Sequence, residues 1–160
     1  MENEDNGGHA GGQYLTFDLG GERYAVDVTG VEVVLEMASV TRVPKSPPHL
    51  RGVTNHRGSV IPVVVLRTIF GMERSDLDSR PAVIVAQIEY EGEAITAGVL
   101  ADTVYEVVEL DPSAVEPSPS VGAKVNTAFL TGIGKRDGRF IMLLDLEKAL
   151  TTAVSEIGAL

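Results

Sequence analysis

The sequence predicts an all-β protein made of two related β-subdomains, and three observations indicate this. Short stretches of alternating apolar and polar residues recur along the 160-residue chain, separated by glycine-containing turns. A strand–turn–strand–helix unit occurs twice, with starting points 80 residues apart. Only the C-terminal stretch has a clear helical period, so helices are expected to be a minor part of the fold.

The strands follow from local patterns. Residues 13–19 alternate as a half-buried strand does, Gly20 and Gly21 predict a hairpin turn, and residues 24–28 form the return strand. Residues 83–88 are almost entirely apolar, as expected for a strand covered on both faces. The remaining strands are predicted over residues 51–56, 59–64, 93–101 and 104–110.

The segments between these strands are less regular. Residues 31–37 predict a helical turn leading into a strand, and residues 65–70 predict a short helix that Gly71 ends. Pro62 has no amide donor, which favours an edge or a bulge at that point. Residues 71–80 are polar and predict the connection between the two halves, and 111–126 are expected to be mostly loop.

The repeat aligns residues 49–70 with residues 129–150 without gaps. Identical residues occur at Leu50/Leu130, Gly52/Gly132, Gly58/Gly138, Ile61/Ile141 and Leu66/Leu146. Each copy predicts a strand, a glycine turn, a second strand and a short helix. The alternative is that any two glycine-turned hairpins look this similar by chance.

The C-terminal helix has the clearest signals. Asp145 is placed to cap it, and Glu147 lies in the first turn, where the helix dipole favours negative charge. Leu146, Leu150, Ala153 and Ile157 recur at helical spacing, and Gly158 is predicted to end the helix. Docking of this apolar face on a barrel is the favoured interpretation, and binding of a partner protein is the alternative.

Composition excludes several classes of function. The chain has 13 Lys and Arg against 23 Asp and Glu, a net charge of −10, and no Cys. These counts exclude disulfides and thiol catalysis and argue against nucleic acid, which needs clustered cations. Residues 1–12 predict a disordered acidic tail without signal-peptide features. No apolar run approaches the roughly 20 residues of a spanning helix, so a soluble cytoplasmic protein without membrane insertion is expected.

Catalytic and metal-binding patterns are also missing from the sequence. His9, His49 and His56 do not have metal-ligand spacing, although His49 and His56 flank one predicted strand. Ser59 follows a glycine in a hairpin, where a nucleophile elbow does not form. Residues 132–135 lack the spacing of a phosphate-binding loop. We therefore expect no cofactor, no metal and no enzymatic activity.

Particular motifs resemble a known family. Residues 51–63, with the sequence RGVTNHRGSVIPV, resemble the most recognisable motif of CheW-like domains. Further similar stretches are 14–17 (YLTF), 21–26 (GERYAV), 98–107 (GVLADTVYEV) and 129–132 (FLTG). The similarity extends from about residue 13 to about residue 150, and we place the CheW-like domain at residues 13–155.

This resemblance implies a fold and a function. The fold would be two packed five-stranded SH3-like β-barrel subdomains, with short helices and a C-terminal helix. The function would be that of a non-enzymatic adaptor that couples the cytoplasmic tip of chemoreceptors to the regulatory domain of the histidine kinase CheA. The protein would be cytoplasmic and recruited to membrane-associated receptor arrays.

The resemblance also suggests receptor-binding residues. Asn55 and Arg57 match the family's Asn and Arg beside a receptor-facing groove, and Arg57 would donate hydrogen bonds to receptor carbonyls or a carboxylate. Val31, Val33 and Val107 match groove positions that would receive the apolar face of a receptor helix. The alternatives are that Asn55 and Arg57 hold the junction of the barrels and that the valines are core residues. Residues that contact the kinase are not assigned.

Three positions differ from the family pattern. His56 replaces a Leu, which predicts a more polar or pH-responsive turn. Val65 replaces an Asp, whereas the repeat retains Asp145, so the first helix is expected to lack its cap. Val33 stands where many relatives have a Glu.

Two other functions are weighed against the adaptor. A small β-barrel that binds a ligand or an oligonucleotide is the first alternative, but the net charge of −10 and the 5% aromatic content argue against the oligonucleotide. An enzyme is the second alternative, and it would need a cleft with converging ionisable groups.

Overall fold

The structure, a computed structural model, describes residues 12–36, 39–71, 82–116 and 127–157. The strands are β1 (Gly12–Leu19), β2 (Glu22–Asp27), β3 (Val31–Leu35), β4 (Leu50–His56), β5 (Ser59–Val65), β6 (Ala82–Tyr90), β7 (Glu93–Ala101), β8 (Thr103–Leu110), β9 (Val115–Glu116), β10 (Leu130–Arg136) and β11 (Arg139–Leu144). The α-helices of this part of the chain are α1 (Leu66–Ile69) and α2 (Leu146–Ile157). This mostly β content confirms the predicted fold class.

The strands form two sheets with matching topology. The first sheet has the order β8-β1-β2-β11-β10-β9, and the second has the order β3-β6-β7-β5-β4. In each sheet a parallel pair, β2 with β11 or β7 with β5, joins the hairpin of the sequence repeat to the other strands. The two related β-subdomains are therefore confirmed, and the first sheet has a sixth strand because the two-residue β9 adds to β10.

The predicted meeting of the two halves near residues 71–80 is wrong. Strands β6 and β7 follow that connection, yet β6 pairs with β3 and β7 pairs with β5. The first sheet takes β1 and β2 from the start of the chain and its other strands from residues 103–144. In the sequence, the strands of the second sheet thus lie between the β1–β2 hairpin and the remaining strands of the first sheet.

Several local predictions need small corrections. Gly12, predicted to belong to the tail, pairs with Leu110 as the first residue of β1. The helical turn predicted within residues 31–37 is a 3-10 turn at Val28–Gly30, just before β3. Pro62 lies in β5, which has neighbours on both sides, but β5 pairs with β7 only from Val63 onward. Residues 1–11, 72–80, 117–126 and 158, which carry other predictions, lie outside the described residues.

The helix caps agree with the sequence. Asp145 accepts a hydrogen bond from the Lys148 amide through Oδ1 at 3.0 Å, which satisfies a free donor of the first turn of α2. Val65 precedes α1 without any side-chain cap. The apolar face of α2 is buried, which supports docking rather than a free partner-binding face. No helix within the described ranges is long and apolar enough to cross a membrane.

The largest apolar core lies between the two sheets. It combines residues of β1 and β2, of β6 and β7, and of α1 and α2. A smaller cluster fills the other side of each sheet: one surrounds Tyr14 and Leu143, and the other surrounds Val63 and Val85. Because both sheets share the main core, apolar burial ties the subdomains together.

Aromatic rings line this shared core. Phe17, Tyr24, Phe70 and Phe129 are arranged with successive ring centroids 6.0, 6.0 and 5.7 Å apart. Tyr24 is completely buried, and its hydroxyl has no hydrogen-bond partner among the described residues. Burial raises the pKa of Tyr24 well above its usual value, since the phenolate would lose its hydration.

Replacing Tyr24 by Phe is therefore expected to leave stability at pH 7 unchanged or raise it by about 1 kcal/mol. A raised folded-state pKa stabilises the fold fully below the unfolded-state pKa of 10.0 and progressively less as the pH rises above it. The Tyr24→Phe variant should thus lose less stability than the wild type between pH 9 and 11, measured by urea unfolding. The partly exposed Tyr90→Phe is the control, and equal alkaline losses in wild type and Tyr24→Phe would contradict the prediction.

Candidate protein-interaction site

The β4–β5 hairpin presents the first two candidate residues. Its turn has positive φ at both central residues, 54° at Arg57 and 81° at Gly58, the geometry that matches the twist of antiparallel strands. Asn55 accepts a hydrogen bond from the Gly58 amide through Oδ1 at 3.2 Å, so its side chain supports the turn. Arg57 is exposed and forms no hydrogen bond or ion pair with the described part of the chain. The geometry leaves the Arg57 guanidinium available to a partner.

The two candidate valines of β3 face different clusters. The pairing of β3 with β6 shifts between Val31 and Val33, which breaks the strict alternation of sides. Val31 packs against the core between the sheets, whereas Val33 packs against the cluster around Val85. Both side chains are half-buried, so part of each takes part in core packing, the alternative that the sequence left open.

A cleft of about 580 Å³ lies between β3 and β4. Its lining residues are Val34, Leu35, Glu36, Ser39, Thr41, Val53, Thr54, Asn55 and Val60. Thr54 holds one wall by donating to the Ser39 carbonyl at 2.7 Å, and Val60 is 67% exposed at the mouth. Four of the nine lining residues are apolar and five are polar, with one acid and no base among them, which suits an amphipathic protein segment and not a phosphate backbone.

His56 connects the hairpin to β3. Its Nε2 lies 3.1 Å from Glu32 Oε2, so the two outer strands of the second sheet are joined beside the cleft. His49 is engaged elsewhere, with Nδ1 2.6 Å from Thr68 Oγ1 and Nε2 3.1 Å from Glu156 Oε1. The two histidines do not share a site, and the described residues contain no cluster of three or more metal-ligating side chains.

Val107 lies on the other sheet. Val107 belongs to β8, pairs with Leu15 of β1 and is 47% exposed. The start of β8 is fixed by Tyr105, whose hydroxyl donates to Asp18 Oδ2 at 2.8 Å and whose ring lies 4.0 Å from the Arg23 guanidinium carbon. Arg23 Nε donates a hydrogen bond of its own to Asp18 Oδ1 at 2.7 Å, and this bond raises the pKa of Arg23, which keeps the cation charged.

The structure thus separates the five candidates. Asn55 and Arg57 are together on the hairpin and Val31 and Val33 are on β3 of the same sheet, while Val107 is on the first sheet. Val34 and Val60 of the cleft were not predicted from the sequence. Their signal was weak, because Val60 lies in an apolar run that favours burial over exposure.

An exposed hairpin and a cleft of mixed apolar and polar lining, on two sheets that share a core, are typical of the class of protein that works by binding other proteins. Comparison with known proteins gives the family. The model of the CheW-like domain matches residues 13–154. Two similar curated proteins are the chemotaxis protein CheW of Klebsiella aerogenes, 32% identical over 142 residues (89% of this chain and 83% of the relative), and that of Thermotoga maritima, 33% identical over 141 residues (86% and 87%).

A solved structure agrees with both. The scaffolding protein TtCheW of Thermoanaerobacter tengcongensis matches with a TM-score of 0.73 and 32% identity, over 87% of this chain and 92% of that one. The protein FrzA of Myxococcus xanthus is 29% identical over 143 residues, 88% of this chain and 86% of the relative. This chain belongs to the CheW-like family, which does not favour the alternative of a ligand- or oligonucleotide-binding barrel.

Proposed function

We propose that this protein is a non-catalytic adaptor of bacterial chemotaxis, which couples the cytoplasmic tip of chemoreceptors to the regulatory domain of the histidine kinase CheA. The observation that carries the proposal is the family match over residues 13–154, which includes the exposed Asn55–Arg57 hairpin. In this role the protein is cytoplasmic and is recruited to receptor arrays at the membrane.

The hairpin supports receptor binding by its chemistry. The Arg57 guanidinium offers several donors in a fixed plane, which suits the carbonyls and carboxylates of a helical receptor tip. Asn55 stabilises the turn from which Arg57 projects. In this proposal Arg57 contacts the receptor directly, and Asn55 acts as a positioning residue.

The apolar candidates support a second kind of contact. Val107 is exposed, and Val60 extends the apolar surface beside the hairpin. A receptor helix would lay its apolar face on such residues. Val31 and Val33 contribute only the parts of their side chains that the cores leave uncovered.

Reversal of charge at Arg57 tests the receptor role. The Arg57→Glu variant is expected to bind a receptor-tip fragment at least 10-fold more weakly, because an acid would face groups that accept hydrogen bonds. Its unfolding free energy should stay close to that of the wild type, since the side chain is exposed. Binding is measured by titration calorimetry, and folding by circular dichroism and urea unfolding.

Lys148→Glu is the matched control. It makes the same change of net charge on an exposed position of α2, away from the hairpin. Receptor affinity equal to that of Lys148→Glu in a folded Arg57→Glu variant would refute the role of Arg57. Retention of the CheA regulatory domain on either variant, in pull-downs with and without receptor fragment, tests whether the two binding surfaces are separable.

A further inference from the structure

The side chain of His49 connects the two α-helices. Its imidazole is 18% exposed, with Nδ1 2.6 Å from Thr68 Oγ1 on α1 and Nε2 3.1 Å from Glu156 Oε1 on α2. The backbone carbonyl of His49 accepts a hydrogen bond from the Val65 amide at 2.8 Å, so the residue is fixed beside the end of β5. The ring therefore lies between α1 and the last turn of α2 and contacts both.

The hydrogen bonds of Thr68 determine which ring nitrogen carries a hydrogen. The Thr68 hydroxyl donates its single hydrogen to the Val65 carbonyl at 2.9 Å, so the same oxygen is an acceptor for His49 and Nδ1 must donate. On the other side of the ring, the ionised Glu156 carboxylate only accepts, so Nε2 must donate as well. Both contacts are satisfied together only by the imidazolium, which has two N–H donors.

Loss of the proton removes one of these contacts, whichever tautomer of the ring remains. With the hydrogen on Nδ1, the lone pair of Nε2 faces the Glu156 carboxylate. With the hydrogen on Nε2, Nδ1 can only accept, and the Thr68 hydroxyl must leave the Val65 carbonyl in order to donate to it. Histidine changes its charge between about pH 5 and 8, so the network is complete on the acid side of this range and incomplete on the alkaline side.

The charged groups around the ring come from α2, α1 and β4. The last turn of α2 contributes Glu156 and the negative end of the helix dipole, and it contains no basic residue of its own. α1 contributes Arg67, whose guanidinium lies 2.7 Å from Asp102 Oδ2, and β4 contributes Arg51, which lines a pocket with the loop before β4. Both ring nitrogens are occupied by Thr68 and Glu156, so neither arginine belongs to the hydrogen-bond network. Protonation of the ring thus acts on the contact with Glu156.

We propose that His49 is a pH-sensitive latch that holds the last turn of α2 against α1, closed when the imidazole is protonated and loosened when it is neutral. Ile69 on α1 and Ile157 on α2 pack against the edge of the shared core, so loosening the latch uncovers apolar surface between the helices. Because α2 belongs to the core that joins both sheets, the proton on His49 adjusts how firmly the two subdomains are held together.

NMR spectroscopy of the full chain tests the latch. The 15N shifts of the His49 ring report whether one or both nitrogens carry hydrogen, and both are expected to do so at about pH 5.5. Protection factors for hydrogen exchange of the Ser155, Glu156 and Ile157 amides, corrected for the intrinsic rate at each pH, are expected to fall at least about threefold by about pH 8.5. The fall should follow the loss of the proton from the His49 ring.

The Glu156→Gln variant separates the latch from other effects of pH. A glutamine amide donates to Nε2 when the neutral ring keeps its hydrogen on Nδ1, so the network stays complete without the imidazolium. The protection of the last turn of α2 is therefore expected to be the same at both ends of this pH range in Glu156→Gln.

Glu147→Gln is the matched control, because it removes the same charge from an exposed position in the first turn of the same helix. It should keep the wild-type fall in protection. The contact between His56 and Glu32 is unchanged in all three proteins, so it cannot produce a difference between them. Equal pH dependence in Glu156→Gln and Glu147→Gln would overturn the proposal, and so would a fall in protection while the His49 ring keeps the same protonation.

Discussion

The Gly52→Ala variant is expected to lose about 3 kcal/mol of unfolding free energy, although it gains only one methyl group. Gly52 lies in β4 next to Val53, whose amide and carbonyl form hydrogen bonds of 2.8 Å with Thr41. A β-carbon at Gly52 would overlap the carbonyl oxygen of Thr41 and lie 3.1 Å from the α-carbon of Arg42. Since all of these atoms are backbone, no side-chain rotation relieves the clash.

Urea unfolding measures this loss, and Gly30→Ala is the matched control. A β-carbon at Gly30 meets nothing within 4 Å, so that variant should differ from the wild type by less than about 1 kcal/mol. The damage at Gly52 should also increase hydrogen exchange at the Thr41 and Val53 amides. Equal unfolding midpoints for the two variants would show that the strand can move away from Thr41.

Local patterns predicted most strands correctly because each hairpin is encoded within a few residues. The alternation of residues 13–19 and the turn at Gly20 and Gly21 give β1 and β2 without information from elsewhere. The prediction that the two halves meet near residues 71–80 failed because the membership of each sheet depends on two parallel pairings, of β5 with β7 and of β2 with β11. Nothing in the pattern of a single strand specifies a partner that is distant in the sequence.

The candidate site was predicted to a similar extent. Asn55 and Arg57 were identified through a motif, and the structure adds that they act differently, one in the turn and one in solvent. The orientation of Val33 depends on the irregular pairing of β3 with β6, which no periodic pattern records. The sheet on which each candidate residue lies could be learned only from the strand topology of the structure.

An adaptor must transmit the position of one binding surface to another, and the shared core provides the physical means. Residues of both sheets and of α2 belong to one apolar cluster, so movement of one subdomain against the other would expose part of it. The ion pair between Arg67 and Asp102, 2.7 Å long, adds a polar link between α1 and the turn before β8. Asp102 also accepts a hydrogen bond from the Gly20 amide at 3.0 Å, so the β1–β2 turn is part of the same polar link.

If the core is shared in this way, Leu150→Ala will destabilise both subdomains together. Leu150 is completely buried on α2 within the cluster that contains Phe17 of the first sheet and Ile84 of the second. Removing three carbons at a buried site of this kind costs about 4 kcal/mol through lost burial and the cavity left behind. Lys148→Ala, exposed on the same helix, should cost less than about 0.5 kcal/mol.

Hydrogen exchange distinguishes a shared core from two independent ones. At about 1.4 kcal/mol per factor of ten, protection of the Val26 amide on β2 and of the Val85 amide on β6 should both fall roughly 1,000-fold in Leu150→Ala. Unfolding by urea should stay a single transition by circular dichroism and by tyrosine fluorescence. Loss of protection on one of the two strands alone would mean that the subdomains unfold separately, and the shared core could not then carry a signal between their surfaces.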